Sequence, residues 1–177
     1  NNRIQNLTFT NSGSTTFTGI NIVQGNTIVE NNLIGHNTNP NSIDIKGNQR
    51  QFGIFVSATV LTEILNNTIA NISNIATSPS SVGALNGIDV GNGGASSSPA
   101  NIKGNRIFNL STNATLTNFL GNRRNLGGIN FNPSSFVTGN IDSNFIQTLI
   151  SSSASLTQLS PCGILTNNIT GKITKNI

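Results

Sequence analysis

The fold is decided by the stretch A-N-I-K-G-N-R-I-F-N-L at Ala100–Leu110, because its pattern returns along the chain. The pattern is an apolar residue, two further residues, an Asn, and a second apolar residue two places later. A motif that recurs in this way predicts a repeat protein in which each copy forms one structural unit. Further copies read I-L-N-N-T-I-A-N-I at Ile64–Ile72, I-D-S-N-F-I-Q-T-L at Ile141–Leu149 and V-Q-G-N-T-I at Val23–Ile28, and the chain ends within another copy at Ile173–Ile177.

A Gly-Ile pair precedes each full copy and divides the chain into repeats. The spacings between successive pairs are 34, 34, 41 and 35 residues, which predicts a constant scaffold with loops of variable length. The predicted repeats are 19–52, 53–86, 87–127, 128–162 and 163–177. The predicted strand-start glycines are Gly19, Gly53, Gly87, Gly128 and Gly163.

Three short strands fit within each repeat. The first follows the Gly-Ile pair, the second contains the apolar residue before the motif Asn, and the third follows that Asn. Alternation along the first strand places Ile88 and Val90 inward and Asp89 outward. No segment shows sustained helical periodicity with caps, so helix is expected to be a minor component, with single helical turns left open at 114–119 and 154–159. Because one repeat cannot close a core alone, stacking predicts an all-β parallel β-helix of about five coils with long irregular loops.

The motif Asn is predicted to lie at the turn between the second and third strands. Asn tolerates left-handed backbone better than most residues, and stacked Asn side chains can bond to one another along the helix axis. The alternative is a set of ordinary turn residues without a ladder. The predicted ladder comprises Asn26, Asn67, Asn105, Asn144 and Asn176.

The combination of G-I-x-V, an insertion and I-x-x-N-x-I-x-N-I resembles the repeats of the right-handed β-helix, or pectin-lyase-like, superfamily. The resemblance covers nearly the whole chain and implies a right-handed solenoid. It does not specify a function, since the superfamily includes lyases, hydrolases, phage tailspikes and surface proteins. The long Asn-, Ser- and Thr-rich style, without Tyr or Trp, also resembles large secreted or surface-anchored bacterial proteins. Because neither end shows a cap, we expect residues 1–177 to be one slice of a longer solenoid, bounded by neighbouring coils of the same chain.

Composition excludes several classes of function. Only 8% of residues are charged, and the nine basic residues are scattered rather than clustered with aromatic residues, which argues against a nucleic-acid partner. No apolar run approaches 18 residues, so direct membrane insertion is not expected. A single cysteine, Cys162, excludes an internal disulfide and is expected to be a small wall residue.

The acidic residues give no catalytic cluster at the level of sequence. Asp89 aligns with Asn21, Phe55, Asn130 and Leu165 in other repeats, and Asp142 aligns with Gln24, Leu65, Lys103 and Thr174. Glu30 and Glu63 are expected to meet only through loops. A lone His36 in a loop suggests neither a metal site nor catalysis. We therefore predict no catalytic residues, no metal and no cofactor.

Binding, if present, is expected in the loops, where Arg123, Arg124 and Phe119 could contact a glycan or another surface protein. The sequence favours a structural or adhesive segment of a large extracellular or cell-surface bacterial protein. The alternative is a set of non-catalytic coils from a glycan-cleaving β-helix enzyme or a phage tailspike. Acidic residues stacked on adjacent coils would favour that alternative.

Overall fold

A computed structural model describes residues 1–11, 13–58, 60–76, 85–91, 99–113, 126–133, 135–152 and 161–177. All regular secondary structure in these ranges is β-strand. The segments 114–119 and 154–159, considered above for helical turns, lie outside the described residues. The strands are β1 (Arg3–Ile4), β2 (Leu7–Phe9), β3 (Thr18–Ile22), β4 (Thr27–Glu30), β5 (Leu33–Gly35), β6 (Ile43–Ile45), β7 (Gln51–Val56), β8 (Thr62–Leu65), β9 (Thr68–Asn74), β10 (Leu85–Val90), β11 (Ala100–Lys103), β12 (Arg106–Thr112), β13 (Leu126–Phe131), β14 (Val137–Asp142), β15 (Phe145–Ser151), β16 (Cys162–Thr166) and β17 (Ile169–Thr174).

The strands form three parallel sheets, because each strand pairs with its equivalent in the next coil. Sheet 1 has the order β3-β7-β10-β13-β16, and sheet 2 has the order β4-β8-β11-β14-β17. Sheet 3 has the order β1-β5-β9-β12-β15, with β2 and β6 alongside. The predicted all-β parallel solenoid with three strands per coil is confirmed. It makes about four turns, from β3 to β16, rather than the five expected, and its right-handedness stays a prediction.

The core is a set of apolar columns that run along the solenoid axis. In sheet 1, Ile54 and Ile88 pair in register, and in sheet 2 Ile64 pairs with Ile102. All four are fully buried, as is Ile107 of sheet 3. Full burial of one such side chain stabilises a fold by about 2 kcal/mol. The alternation predicted from the sequence therefore builds one continuous core.

The Gly-Ile glycines also form a column, but they lie inside the sheet 1 strands rather than at their starts. A Cβ built on Gly87 would lie 2.7 Å from the carbonyl oxygen of Gly128 and 2.7 Å from Cγ2 of Ile107. The same arrangement recurs at Gly19, Gly53 and Gly128, whereas nothing lies within 4 Å of a Cβ at Gly163. The first four of these glycines are therefore required for close approach between sheets 1 and 3, and none of the five starts a strand.

Candidate functional site

A ladder of asparagine side chains occupies the corner between sheets 2 and 3. Each Oδ1 accepts the main-chain N–H and the Nδ2–H of the ladder residue one coil earlier, at 2.9–3.0 Å. The Nδ2 groups also donate to main-chain carbonyls, as Asn105 does to Ile64 at 2.8 Å. Every coil is thereby joined to the next by side-chain bonds in a buried corner. The ladder residues are Asn2, Asn32, Asn67, Asn105, Asn144 and Asn176.

The prediction of Asn26 as a ladder residue was wrong, because Asn32 fills that position. Asn26 is exposed in the turn before β4. The true first copy is V-E-N-N-L-I at 29–34, and Val29 pairs with Ile64. Only this register buries an apolar residue ahead of the Asn: Val29 is 6% exposed, whereas Val23 is 57% exposed. The two candidate copies start six residues apart, which is an even number. Both therefore put the same residues on the inward face of the strand, and the alternation of apolar and polar residues could not distinguish them.

The left-handed residue of this turn also lies one position earlier than expected. The turn has two residues, of which the first has positive φ and the second is the ladder Asn. Positive φ is disfavoured for most L-residues, and Asn or Gly tolerates it best. The left-handed residues are Asn31, Asn66, Gly104, Ser143 and Lys175, with φ between 52° and 67°.

A second left-handed column, which the sequence analysis missed, bends the strands of sheet 3. Asn71 and Asn109 have φ of 58° and 53°, and Thr148 has φ of 53°. Nδ2 of Asn109 donates to Oδ1 of Asn71 at 3.2 Å. The last Asn of I-x-x-N-x-I-x-N-I is the signal that could have located this bend. The column shapes the solenoid and brings no reactive group together.

Asp89 was predicted to face outward from its strand, and the structure shows that its outward position is buried. It lies in the expected column of sheet 1, between Phe55 and Asn130. No part of Asp89 is exposed to solvent. Its Oδ2 accepts hydrogen bonds from Nδ2 of Asn86 at 2.7 Å and from Nδ2 of Asn130 at 2.9 Å. Among the described strands of sheet 1 no second carboxylate shares this column, so Asp89 has a structural amide environment rather than the paired acids of a hydrolase.

Glu30 and Glu63 lie on neighbouring strands of sheet 2, which corrects the prediction that only loops could bring them near. Glu30 pairs with Leu65, so Glu30 and not Gln24 is the equivalent of Asp142 in the first coil. One strand spacing and two residues along the strand separate the two glutamates, or about 8 Å between Cα atoms. Glu30 is exposed and Glu63 is half-buried.

The outward face of sheet 2 forms a shallow groove of about 650 Å³. Two hydrogen bonds order its floor: Nδ2 of Asn140 donates to Oδ1 of Asn101 at 3.1 Å, and Oγ1 of Thr174 donates to Oδ1 of Asp142 at 2.6 Å. This mixture of ammonium, carboxylate and amide groups is suited to a polar partner. The lining residues are Glu63, Leu65, Asn101, Lys103, Asn140, Asp142, Lys172, Thr174 and Lys175.

The groove also sets the charge state of Asp142. The hydrogen bond from Thr174 lowers the pKa of the Asp142 carboxyl below its usual value, with smaller contributions from Ser143, Lys175 and Lys103. The carboxylate therefore stays ionised to a lower pH than an ordinary aspartate does. An ionised acid at this position accepts hydrogen bonds and attracts cations, but it does not serve as a proton donor near neutral pH.

The remaining candidates have local roles. Nδ1 of His36 accepts main-chain N–H bonds from Thr38 and Asn39 at 3.1 and 2.9 Å, and so it orders its own loop. The half-buried Cys162 donates its thiol to the carbonyl of Ile164 at 3.3 Å. In the described ranges no three His, Cys, Asp or Glu residues gather as a metal site would require. The described segments also include no helix of the length and apolarity needed to cross a membrane.

The predicted loop-binding residues Arg123, Arg124 and Phe119 lie outside the described residues. The structure instead provides a polar surface on sheet 2 that the sequence analysis did not single out. Comparison with known proteins found no matching family model, no matching curated protein and no matching solved structure.

Proposed function

We propose that this chain is a non-enzymatic structural and adhesive segment of a large extracellular or cell-surface bacterial β-solenoid protein. The observation that supports the proposal best is the continuity of its packing. One Ile-rich core and one six-residue Asn ladder run through every coil. Stacked repeats of this kind unfold cooperatively and resist local opening, which suits an exposed rod.

The proposal includes membership of the right-handed, pectin-lyase-like class. Its support is the recurrence of G-I-x-V and of the Asn motif at fixed positions of successive coils. Adhesion is assigned to the polar groove on sheet 2 and to Arg123, Arg124 and Phe119, which the sequence predicts to lie in a loop. Glycans are the expected ligands because the groove offers amide, ammonium and carboxylate groups to hydroxyls.

A glycan array tests adhesion. We expect the purified chain to retain a subset of bacterial or host-surface glycans and to release no new reducing ends. The variant Arg123→Ser/Arg124→Ser should reduce retention, and Arg3→Ser/Lys46→Ser is the matched control because it removes the same two positive charges from exposed positions elsewhere. Failure to bind any glycan, together with rapid proteolysis of the described coils, would contradict the adhesive-rod proposal.

A second candidate function is glycan cleavage, which the pair Glu30 and Glu63 favours. Their Cα atoms lie about 8 Å apart and both side chains project from the outward face of sheet 2, so their carboxyl groups can adopt the separation of about 6.5–9.5 Å that inverting glycosidases use. Glu63 and Asp142 are less suitable, because two strand spacings and two residues place them about 12 Å apart. Release of reducing ends that disappears in both Glu30→Gln and Glu63→Gln would establish cleavage and replace the non-enzymatic proposal.

A further inference from the structure

The outward face of sheet 2 has opposite charges at its two ends. Glu30 and Glu63 lie on β4 and β8, whereas Lys172 lies on β17 and Lys175 follows it. Between these ends, β11 and β14 carry charged and amide side chains. A surface with this polarity is complementary to the same surface reversed along the solenoid axis.

A twofold axis parallel to the strands, placed between β11 and β14, gives that reversal. It exchanges β11 with β14 and β8 with β17, while each residue keeps its position along the strand. Glu63, Asn101, Asn140 and Lys172 occupy one position along the strand in successive coils. In a second copy laid face to face about this axis, Glu63 meets Lys172 and Asn101 meets Asn140.

The neighbouring column is complementary about the same axis. Leu65, Lys103, Asp142 and Thr174 occupy one position along the strand in successive coils. Lys103 therefore meets Asp142 of the second copy, and Leu65 meets Thr174. Displacing the axis onto β11 would instead place Lys103 against Lys103, a repulsive contact. The charges thus favour one register.

We propose that two copies of this chain associate through the outward faces of sheet 2, with their solenoid axes antiparallel. The interface is isologous, so each complementary contact occurs twice. Its polar centre consists of Lys103 with Asp142 and Asn101 with Asn140, and Glu63 with Lys172 lies on both flanks. This inference does not require glycan binding, although the second copy and a glycan would occupy the same groove.

The size of the face predicts a weak dimer. Four overlapping strands, at about 4.8 Å spacing, and about five residues at about 3.3 Å give a flat area near 300 Å² per partner. A standard stable interface buries about 800 Å² per partner, so association on the order of 100 µM is expected. Because the contacts are mainly charged and solvated, salt should weaken them.

Charge reversal at Glu63 and Lys172 tests the proposed register. Within one chain these residues lie three strand spacings apart, about 14 Å, which exceeds the Debye length of about 8 Å at physiological ionic strength. Glu63→Lys and Lys172→Glu should therefore leave folding intact, as urea unfolding would verify. Sedimentation velocity at low salt, over a concentration series up to about 1 mM, measures the monomer–dimer equilibrium.

We expect each single variant to dimerise at least ten-fold more weakly than the parent chain, because like charges then meet at both flanks. An equimolar mixture of the two variants should recover affinity within about three-fold of the parent. In the mixed dimer one flank keeps the original contact of Glu63 with Lys172, and the other flank joins the two substituted positions with their charges exchanged. A parent chain that stays monomeric throughout the series overturns the proposal. So do single variants with unchanged affinity, a mixture no tighter than either variant alone, or a dimer insensitive to 0.5 M salt.

Discussion

Replacement of Asn105 by Ala should destabilise the solenoid far more than a typical surface change. The Asn105 side chain accepts two bonds from Asn67 and donates to the carbonyls of Ile64 and Lys103 and to Oδ1 of Asn144. Its loss leaves the buried main-chain N–H of Asn67 without its ladder acceptor, at a cost of about 1–3 kcal/mol. The four other bonds contribute about 1 kcal/mol each, and the remaining partners recover part of that free energy by bonding elsewhere. We expect the free energy of unfolding to fall by about 4 kcal/mol.

Urea unfolding followed by far-ultraviolet circular dichroism measures this change, with Asn140→Ala as the matched control. Asn140 also bonds to an Asn one coil away, at 3.1 Å, but it lies on the exposed face of sheet 2. An exposed amide pair can bond to water when its partner is removed, so the control should lose less than about 1 kcal/mol. Equal losses in the two variants would refute the view that burial makes the ladder stabilising.

Three further predictions concern register, packing and charge. In urea unfolding, Asn32→Ala should destabilise the chain by at least about 2 kcal/mol and Asn26→Ala by less than about 0.5 kcal/mol. The opposite order would show that Asn26, as predicted from the sequence, is the ladder residue of the first coil. Gly87→Ala should lower the free energy of unfolding by about 2–3 kcal/mol, because the added Cβ would overlap Gly128 and Ile107. Thermal unfolding should show this as a lower midpoint, whereas the midpoint of Gly163→Ala should be nearly unchanged. Similar losses in the two variants would contradict the proposed packing of sheets 1 and 3. The folded-state pKa of Asp142 lies below its unfolded value of about 3.8, so its contribution to stability is present above that value and is lost as pH falls through the folded pKa. Thr174→Val should raise the pKa of Asp142 in a carboxyl NMR titration, and an unchanged pKa would exclude the Thr174 hydrogen bond as the main cause.

Much of the scaffold could be predicted because two independent periodicities agree. Alternation along each strand specifies which face is buried, and the Gly-Ile pair specifies where each coil resumes. Together they align Ile54 with Ile88 and Ile129, as the strand pairing shows. Register from Gly53 to Ile177 follows from the sequence for this reason.

The first coil and the polar surface could not be derived in the same way. Val23–Ile28 and the segment 29–34 satisfy the motif equally, and only pairing with β8 distinguishes them. That choice also determines whether Glu30 joins the outward column of sheet 2. Alternation could assign Asp89 to the face away from the core, but it carries no information on burial of that face. The alternation along a strand thus predicts the direction of a side chain, whereas its exposure to solvent depends on the packing of the neighbouring coils and loops.

The constant two-residue turn between sheets 2 and 3 has a consequence for engineering. That turn occupies 66–67, 104–105 and 143–144 without variation. In contrast, the connections from sheet 3 to sheet 1 vary in length, with 10 residues at 75–84, 13 at 113–125 and 10 at 152–161. Foreign peptides should therefore be grafted at the sheet 3 to sheet 1 edge, which would display one cargo per coil along a single side of the rod. The asparagine ladder on the other side of the coils would keep successive insertion points at a regular spacing of about 4.8 Å.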